Sequence, residues 1–349
     1  MKTMSKRIEK WVRPNVLSMK PYSSAKSEFN AYSEEWTFLD ANESPYNNRV
    51  NRYPDPDQQA LKGAIADIKN LNVEQMILGN GSDEVLDMIF RVFFEPGIDN
   101  IIINVPTFGM FKVLSQVNNI GLQEVAMTQN FELDIDAIET AVNEQTKAVF
   151  VCSPNNPTGN AIPVAQVEKL IAMDLLVIID EAYIDFSSTE SWIQKVNEHE
   201  NLIVTQTFSK AYGMAGLRMG LAYAQEPLID LLKKVKMPYN LSSLVQDEAI
   251  ERLRGIESIN RNIQEILEQR EQLINELNDI SFVKEIFPTD SNFVLIRVDD
   301  ADERYGELQN ETVIVRNRSR EVHCENCLRI TVGTPEENKA LIELLKKMK

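Results

Sequence analysis

The chain is 349 residues long and carries 36 lysines and arginines against 53 aspartates and glutamates, a formal net charge of −17 at pH 7. That length exceeds what one hydrophobic core usually fills, so a large domain with a smaller one is expected. The acidic balance excludes nucleic acid as a partner, since a phosphate backbone needs a basic face, although a few arginines can still make one pocket positive for a small anion.

From the amino end, Met1 to Lys10 is charged and lacks the apolar stretch of a secretory signal. The longest apolar runs, such as Leu175 to Ile179, fall far short of a membrane span. A cytoplasmic protein with no membrane contact is expected. Lys20-Pro21-Tyr22-Ser23-Ser24 and Leu39 to Pro45 read as an arm of loops and turns. Two prolines stiffen Arg52-Tyr53-Pro54-Asp55-Pro56. A helix follows over Asp57 to Asn70, with Leu61, Ala64, Ile65 and Ile68 at helical spacing.

Strands and helices then alternate. Ile98 to Val105, Ala148 to Cys152, Leu175 to Asp180 and Leu202 to Thr207 are short apolar runs, with helical patterns at Val85 to Phe94 and Val164 to Met173. This is the pattern of an α/β fold, a mostly parallel sheet flanked by helices, whose ligands gather at the carboxyl ends of the strands. Ser242 to Asn278 has long helical character and leads to a smaller α+β domain. Its strands are Asn292 to Val298, Val313 to Arg316 and Leu328 to Val332, and Glu336 to Lys347 is its closing helix. The expected division is an arm over 1–47 packing with the small domain, a large domain over 48–275 and the small domain over 276–349.

Several stretches carry chemistry. Gly79-Asn80-Gly81-Ser82-Asp83-Glu84 offers free backbone N–H groups at a helix start, which suits an anion or is a plain N-cap. Ser153-Pro154-Asn155-Asn156-Pro157-Thr158-Gly159 ends a strand with turn chemistry. Asp180 ends a buried strand, where a carboxylate is costly unless paired. Thr207-Phe-Ser-Lys210-Ala-Tyr-Gly-Met-Ala-Gly-Leu-Arg218 sets one lysine among small residues, two hydroxyls and an arginine. That setting fits a lysine withdrawn from solvent that captures an aldehyde bearing a phosphate. Arg316 and Arg329 each interrupt a strand-like run, either to meet an anion or as exposed edge residues. Cys324 and Cys327, beside His323, lack a fourth ligand for zinc and read as free thiols; no metal is expected.

Together these motifs resemble those of the pyridoxal-phosphate aminotransferases of fold type I, and among them the histidinol-phosphate aminotransferases, over most of the chain from about Tyr22 onward. The resemblance implies that Lys210 carries the cofactor and moves a proton, Asp180 pairs with its pyridine nitrogen, and Asn156 and Tyr183 reach its phenolic oxygen. It implies a phosphate cup of Ser82, Asp83, Thr207, Ser209 and Arg218. Phe108 would stack on the ring in a position that is often tyrosine. Tyr53 would reach the cofactor of a partner subunit, making a homodimer, while Tyr22, Asn42, Asn156, Arg316 and Arg329 would bind substrate. Histidinol phosphate would donate its amine to 2-oxoglutarate, giving glutamate. An aromatic aminotransferase or a threonine-phosphate decarboxylase would use the same cofactor residues.

Overall fold

A computed structural model of the chain describes residues 5–22 and 37–348; Ser23 and Ser24 of the expected loop lie outside the described residues. The chain forms two compact units, Met1–Pro96 with Ile193–Ile256, and Gly97–Trp192 with Glu257–Lys349.

The first unit opens with α1 (Lys6–Trp11) and α2 (Pro14–Ser18), which no element expected from the sequence covers. At 6 and 5 residues these helices are too short to show a 3.6-residue period, so only Ile8, Trp11 and Val16 mark their buried side. Arg13 N–H donates to the Val92 carbonyl at 3.0 Å, and Lys234 Nζ donates to the carbonyls of Val16 and Leu17 at 3.0 and 2.9 Å, so this part of the expected arm is tied to residues of its own unit. α3 (Gln59–Lys69) ends at Asn70, whose left-handed backbone (φ 53°) turns its N–H onto the Ala66 carbonyl. Then come β1 (Met76–Asn80) and, without a break, α4 (Gly81–Phe93).

The second unit contributes β2 (Asn100–Val105), α5 (Met110–Val117), β3 (Gly121–Ala126), α6 (Ile135–Ala141), β4 (Thr146–Cys152), α7 (Val164–Ile171) and β5 (Leu176–Asp180). β6 (Leu202–Thr207), β7 (Met219–Tyr223), α8 (Glu226–Val235) and α9 (Ser243–Arg254) belong to the first unit. The rest runs α10 (Ile256–Leu277), β8 (Val283–Ile286), β9 (Phe293–Val298), α11 (Ala301–Asn310), β10 (Arg316–Asn317), β11 (Cys327–Thr331) and α12 (Pro335–Leu345). The single long helix expected over 242–278 is two helices, broken at Gly255, which caps α9.

In the larger sheet the strand order is β1-β7-β6 in the first unit and β5-β4-β2-β3 in the second. In the second unit every pair is parallel, joined by the crossover helices α5, α6 and α7. β4 and β5 are buried almost throughout, and their apolar, largely β-branched runs are what a strand covered on both faces requires. Their register brings Cys152 opposite Asp180, so both strands end at the same level. In the first unit β7 runs antiparallel to both neighbours and pairs Gly79 with Gly220.

The second sheet, order β10-β11-β9-β8, is antiparallel. One face packs Val294, Ile296, Leu328 and Ile330 against Leu273, Leu308 and Leu341 of the helices. The expected strand Val313 to Arg316 contracts to Arg316–Asn317, because Val313 N–H turns back to the Leu308 carbonyl as the helix cap closes.

Candidate active site

In the first unit, Gly81 opens α4 with φ +78°, a conformation that costs glycine little. A Cβ on Gly220 of β7 would stand 2.1 Å from the backbone N of Ser82, and one on Gly81 2.7 Å from Nη2 of Arg218. Both glycines therefore let a strand and a guanidinium close on the first turn of a helix, where the unpaired N–H groups and macrodipole favour an anion. Thr207 Oγ1 donates to Ser209 Oγ at 2.9 Å and accepts from the Ser209 N–H at 3.1 Å. The Phe208 N–H donates to the Met219 carbonyl, so the end of β6 is tied to β7. Arg218 takes a left-handed backbone (φ 54°) and sets Nη2 3.5 Å from Asp83 Oδ2, a loose contact between half-exposed groups. Asp83 is thus turned towards Arg218. Backbone donors, hydroxyls, a weakly engaged guanidinium and two close glycines fit the phosphate of a cofactor. Lys210, expected to be withdrawn from solvent, is exposed: β6 is buried up to Thr207, Ser209 is half-buried, and Lys210 lies one residue further along the turn.

In the second unit, Asp180 ends β5 with 1% exposure, and its Oδ1 accepts from the Ala182 N–H at 3.0 Å. Tyr183, three residues on, is 7% exposed and rests edge-to-face on Phe293. Burial pushes its phenol well above the usual range; Cys152 and Asp180 add to this, and Arg329 and Arg318 oppose it. The hydroxyl thus stays protonated and able to donate. Asn155 fixes the turn after β4: Nδ2 donates to the Pro106 carbonyl at 2.9 Å and to Thr158 Oγ1 at 2.8 Å, while Oδ1 accepts from Thr107. Neighbouring Asn156 is buried and accepts at Oδ1 from Nη1 of Arg329, which leaves its amide N–H₂ to donate elsewhere. Phe108 is half-buried, edge-on to Phe111 at 5.7 Å.

Arg329 lies over the Phe293 ring at 5.0 Å and pairs in register with Arg316. Burial lowers its pKa first, and repulsion by Arg318 and Arg316 lowers it further. Arg316 is exposed; Arg318, not foreseen from the sequence, is half-buried beside them. Its signal was available, two residues after Arg316 and so on the same side of a strand. Asn155, also overlooked, looks like any turn asparagine in sequence. Among the remaining expected residues, Tyr22 is 76% exposed, and Asn42 and Tyr53 line a cavity of about 380 Å³ in the first unit. Tyr53 stacks on Tyr239 at 4.4 Å.

Among the described residues no group of three His, Cys, Asp or Glu could hold a metal, and no helix is long and apolar enough to cross a membrane. Residues 37–345 match the family described as aminotransferase class I and II. The chain is 50% identical, over 96% of its own length and 96% of the other's, to a histidinol-phosphate aminotransferase of Flavobacterium johnsoniae. Its fold is that of the histidinol-phosphate aminotransferase of Clostridium acetobutylicum, with a TM-score of 0.78, 22% identity and coverage of 85% and 90%. It is also that of the Sinorhizobium meliloti enzyme solved with pyridoxal-5'-phosphate, with a TM-score of 0.75, 22% identity and coverage of 85% and 82%.

Proposed function

The chain belongs to the aminotransferase class I and II family, and from that premise we propose that it moves the amino group of L-histidinol phosphate to 2-oxoglutarate, leaving imidazole-acetol phosphate and L-glutamate. The observation that carries this reading is the half-buried Arg329 bonded to buried Asn156 beside Tyr183, an anion grip built next to groups suited to a cofactor's ring oxygen. The near full-length likeness to a histidinol-phosphate aminotransferase supports the choice of substrate.

Pyridoxal phosphate, when bound, supplies an electron sink for the charge that develops at the substrate's Cα. Ser82, Asp83, Thr207, Ser209 and Arg218 would hold its phosphate, Asp180 would keep its ring nitrogen protonated, and Phe108 would cover one face of the ring. Asn156, through the amide left unused by Arg329, and Tyr183, through a hydroxyl that burial keeps protonated, would donate to its phenolic oxygen. Lys210 would hold the cofactor between turnovers and, once displaced, move the proton at Cα as general base and then acid. Arg329 and Arg316 would grip phosphate in one half of the reaction and carboxylate in the other. Tyr22 and Asn42 would complete the substrate site. Two exchangeable anions explain how one pocket alternates between substrates of different shape.

The reading extends to an arm over 1–47, a large domain over 48–275 and a small domain over 276–349, supported by the apolar cluster that joins Leu277, Leu308, Leu328 and Ile342. It also includes a cytoplasmic homodimer in which Tyr53 serves the partner's site. Single-turnover bleaching of the cofactor-loaded protein by histidinol phosphate, phenylalanine and threonine phosphate tests the substrate. Histidinol phosphate is expected to have the highest kcat/KM. A preference for phenylalanine, or loss of carbon dioxide from threonine phosphate, would replace this reading with one of the two alternatives.

A further inference from the structure

Three buried donors, on β11 and the two residues just after β10, have no hydrogen-bond partner among the described residues: Nε of Arg318, Oγ of Ser319 and Nε of Arg329. Leaving a buried donor unmet is costly, so three together mark a place that an acceptor-rich ligand completes. The strand register explains why the two arginines gather, with Ser319 next in the chain to Arg318. Arg316 stands opposite Arg329, and the Arg318 N–H continues the ladder to the Cys327 carbonyl at 2.8 Å. Arg316, Arg318 and Arg329 therefore share one side of the sheet, while Val315 and Leu328 enter the core on the other. Arg318's ion-pair partner, Glu321, stands off at 3.7 Å with both groups partly exposed, so its charge is little neutralised. Three guanidiniums this close repel one another, and one carboxylate would offset only part of that repulsion. A phosphate monoester carries about two charges near neutral pH and three acceptor oxygens, enough to engage Arg318, Ser319 and Arg329 together.

We propose that Arg318, assisted by the Ser319 hydroxyl, is a substrate-binding residue that selects a phosphate dianion over a carboxylate. This rests on the functional reading above. The mechanism needs no proton from Arg318; it acts on affinity alone.

The test is both half-reactions of cofactor-loaded protein, with histidinol phosphate, unphosphorylated histidinol and glutamate as amine donors, in wild type, Arg318→Gln, Arg318→Lys and Ser319→Ala. Arg318→Gln should raise the half-saturating concentration for histidinol phosphate about ten- to hundredfold, the range of a lost charge-assisted hydrogen bond. The saturating rate and the response to glutamate and histidinol should stay within about twofold. Arg318→Lys should recover part of the loss, since it keeps the charge without the fork, and Ser319→Ala should weaken histidinol phosphate alone. Equal losses for histidinol phosphate and glutamate, or no loss with any variant, would overturn the proposal. If Arg318→Gln fails to fold, Arg318→Lys and Ser319→Ala carry the same comparison. Inorganic phosphate competing against glutamate should lose about tenfold or more in potency in Arg318→Gln. That arm reads the anion site even if wild type prefers an unphosphorylated donor, a result that would sink the substrate reading but leave Arg318 as a phosphate ligand.

Discussion

Lys62 is 5% exposed on α3 and feels Lys233 and Lys236 as well as Asp57 and Asp55. Burial first, and then the two lysines, push its pKa down to about 8. In the unfolded chain a lysine titrates near 10.4, so between about pH 8 and pH 10 the unfolded state binds more protons and stability rises with pH. Below pH 8 the folded protein bears the whole desolvation penalty. Lys62→Met keeps the apolar stem and removes the charge, so it should raise stability at pH 7 by roughly 2 kcal/mol and give progressively less by pH 10. Urea unfolding at both pH values measures this; an equal gain at each would mean the ammonium's burial is not the cause. Nothing in the sequence announced Lys62, because a lysine beside Leu61 on an amphipathic helix is ordinarily solvated. Asp180 and Arg329 were legible for the converse reason: each is a charge set in an apolar strand run, where only a partner makes it tolerable. Arg318 was missed because Asn-Arg-Ser-Arg around it looks like an exposed loop, which hides the spacing of two from Arg316 that its register with β11 bears out.

At the scale of elements, the strands of the larger sheet that were expected are those whose apolar runs are buried on both faces, β2, β4, β5 and β6. The strands not anticipated fail that description for distinct reasons. β3 lies at the edge of the sheet and is largely exposed, so it lacks an apolar run. β1 and β7 contain Gly79 and Gly220, which read as turn punctuation and are instead points where two backbones meet across the ladder. Gly220 matters most, since any Cβ there would collide with the Ser82 backbone N at the mouth of α4. Gly220→Ala should therefore push the first turn of α4 away from β7, destabilise the fold by roughly 1–3 kcal/mol and weaken pyridoxal-phosphate binding. Gly216→Ala, which meets nothing within 4 Å, is the matched control and should leave both unchanged. Thermal unfolding with and without cofactor, alongside a cofactor titration, reads both effects. Undiminished cofactor affinity in Gly220→Ala would show that the helix mouth does not hold the phosphate.

On the scale of the whole molecule, the alternating pattern made the α/β class legible, but subunit number leaves no periodic trace in one chain. What the folded chain adds is apolar surface on the first unit. Tyr46, Val50, Tyr53, Met237 and Leu244 are 82, 53, 49, 62 and 58% exposed, and Tyr53 and Leu244 line the same cavity as Asn42. Exposed apolar side chains of this size, three of them (Val50, Tyr53 and Leu244) lining one cavity, suit a subunit interface. If Tyr53 serves its partner's cofactor, a Lys210→Ala chain and a Tyr53→Ala chain must complement each other when mixed. In the hybrid dimer one site carries both lesions, and the other has Lys210 from one chain and Tyr53 from its partner, intact. Random reassortment of equal amounts makes half the dimers hybrid, so activity should recover to about a quarter of wild type, above the mean of the separate variants. Were Tyr53 to act within its own chain, every hybrid site would keep one lesion and mixing would yield only that mean. The two outcomes differ by more than assay error provided Tyr53→Ala alone falls well below a quarter of wild-type activity. The loss of Tyr53's ring, stacked face to face on Tyr239, makes that the expected size of effect.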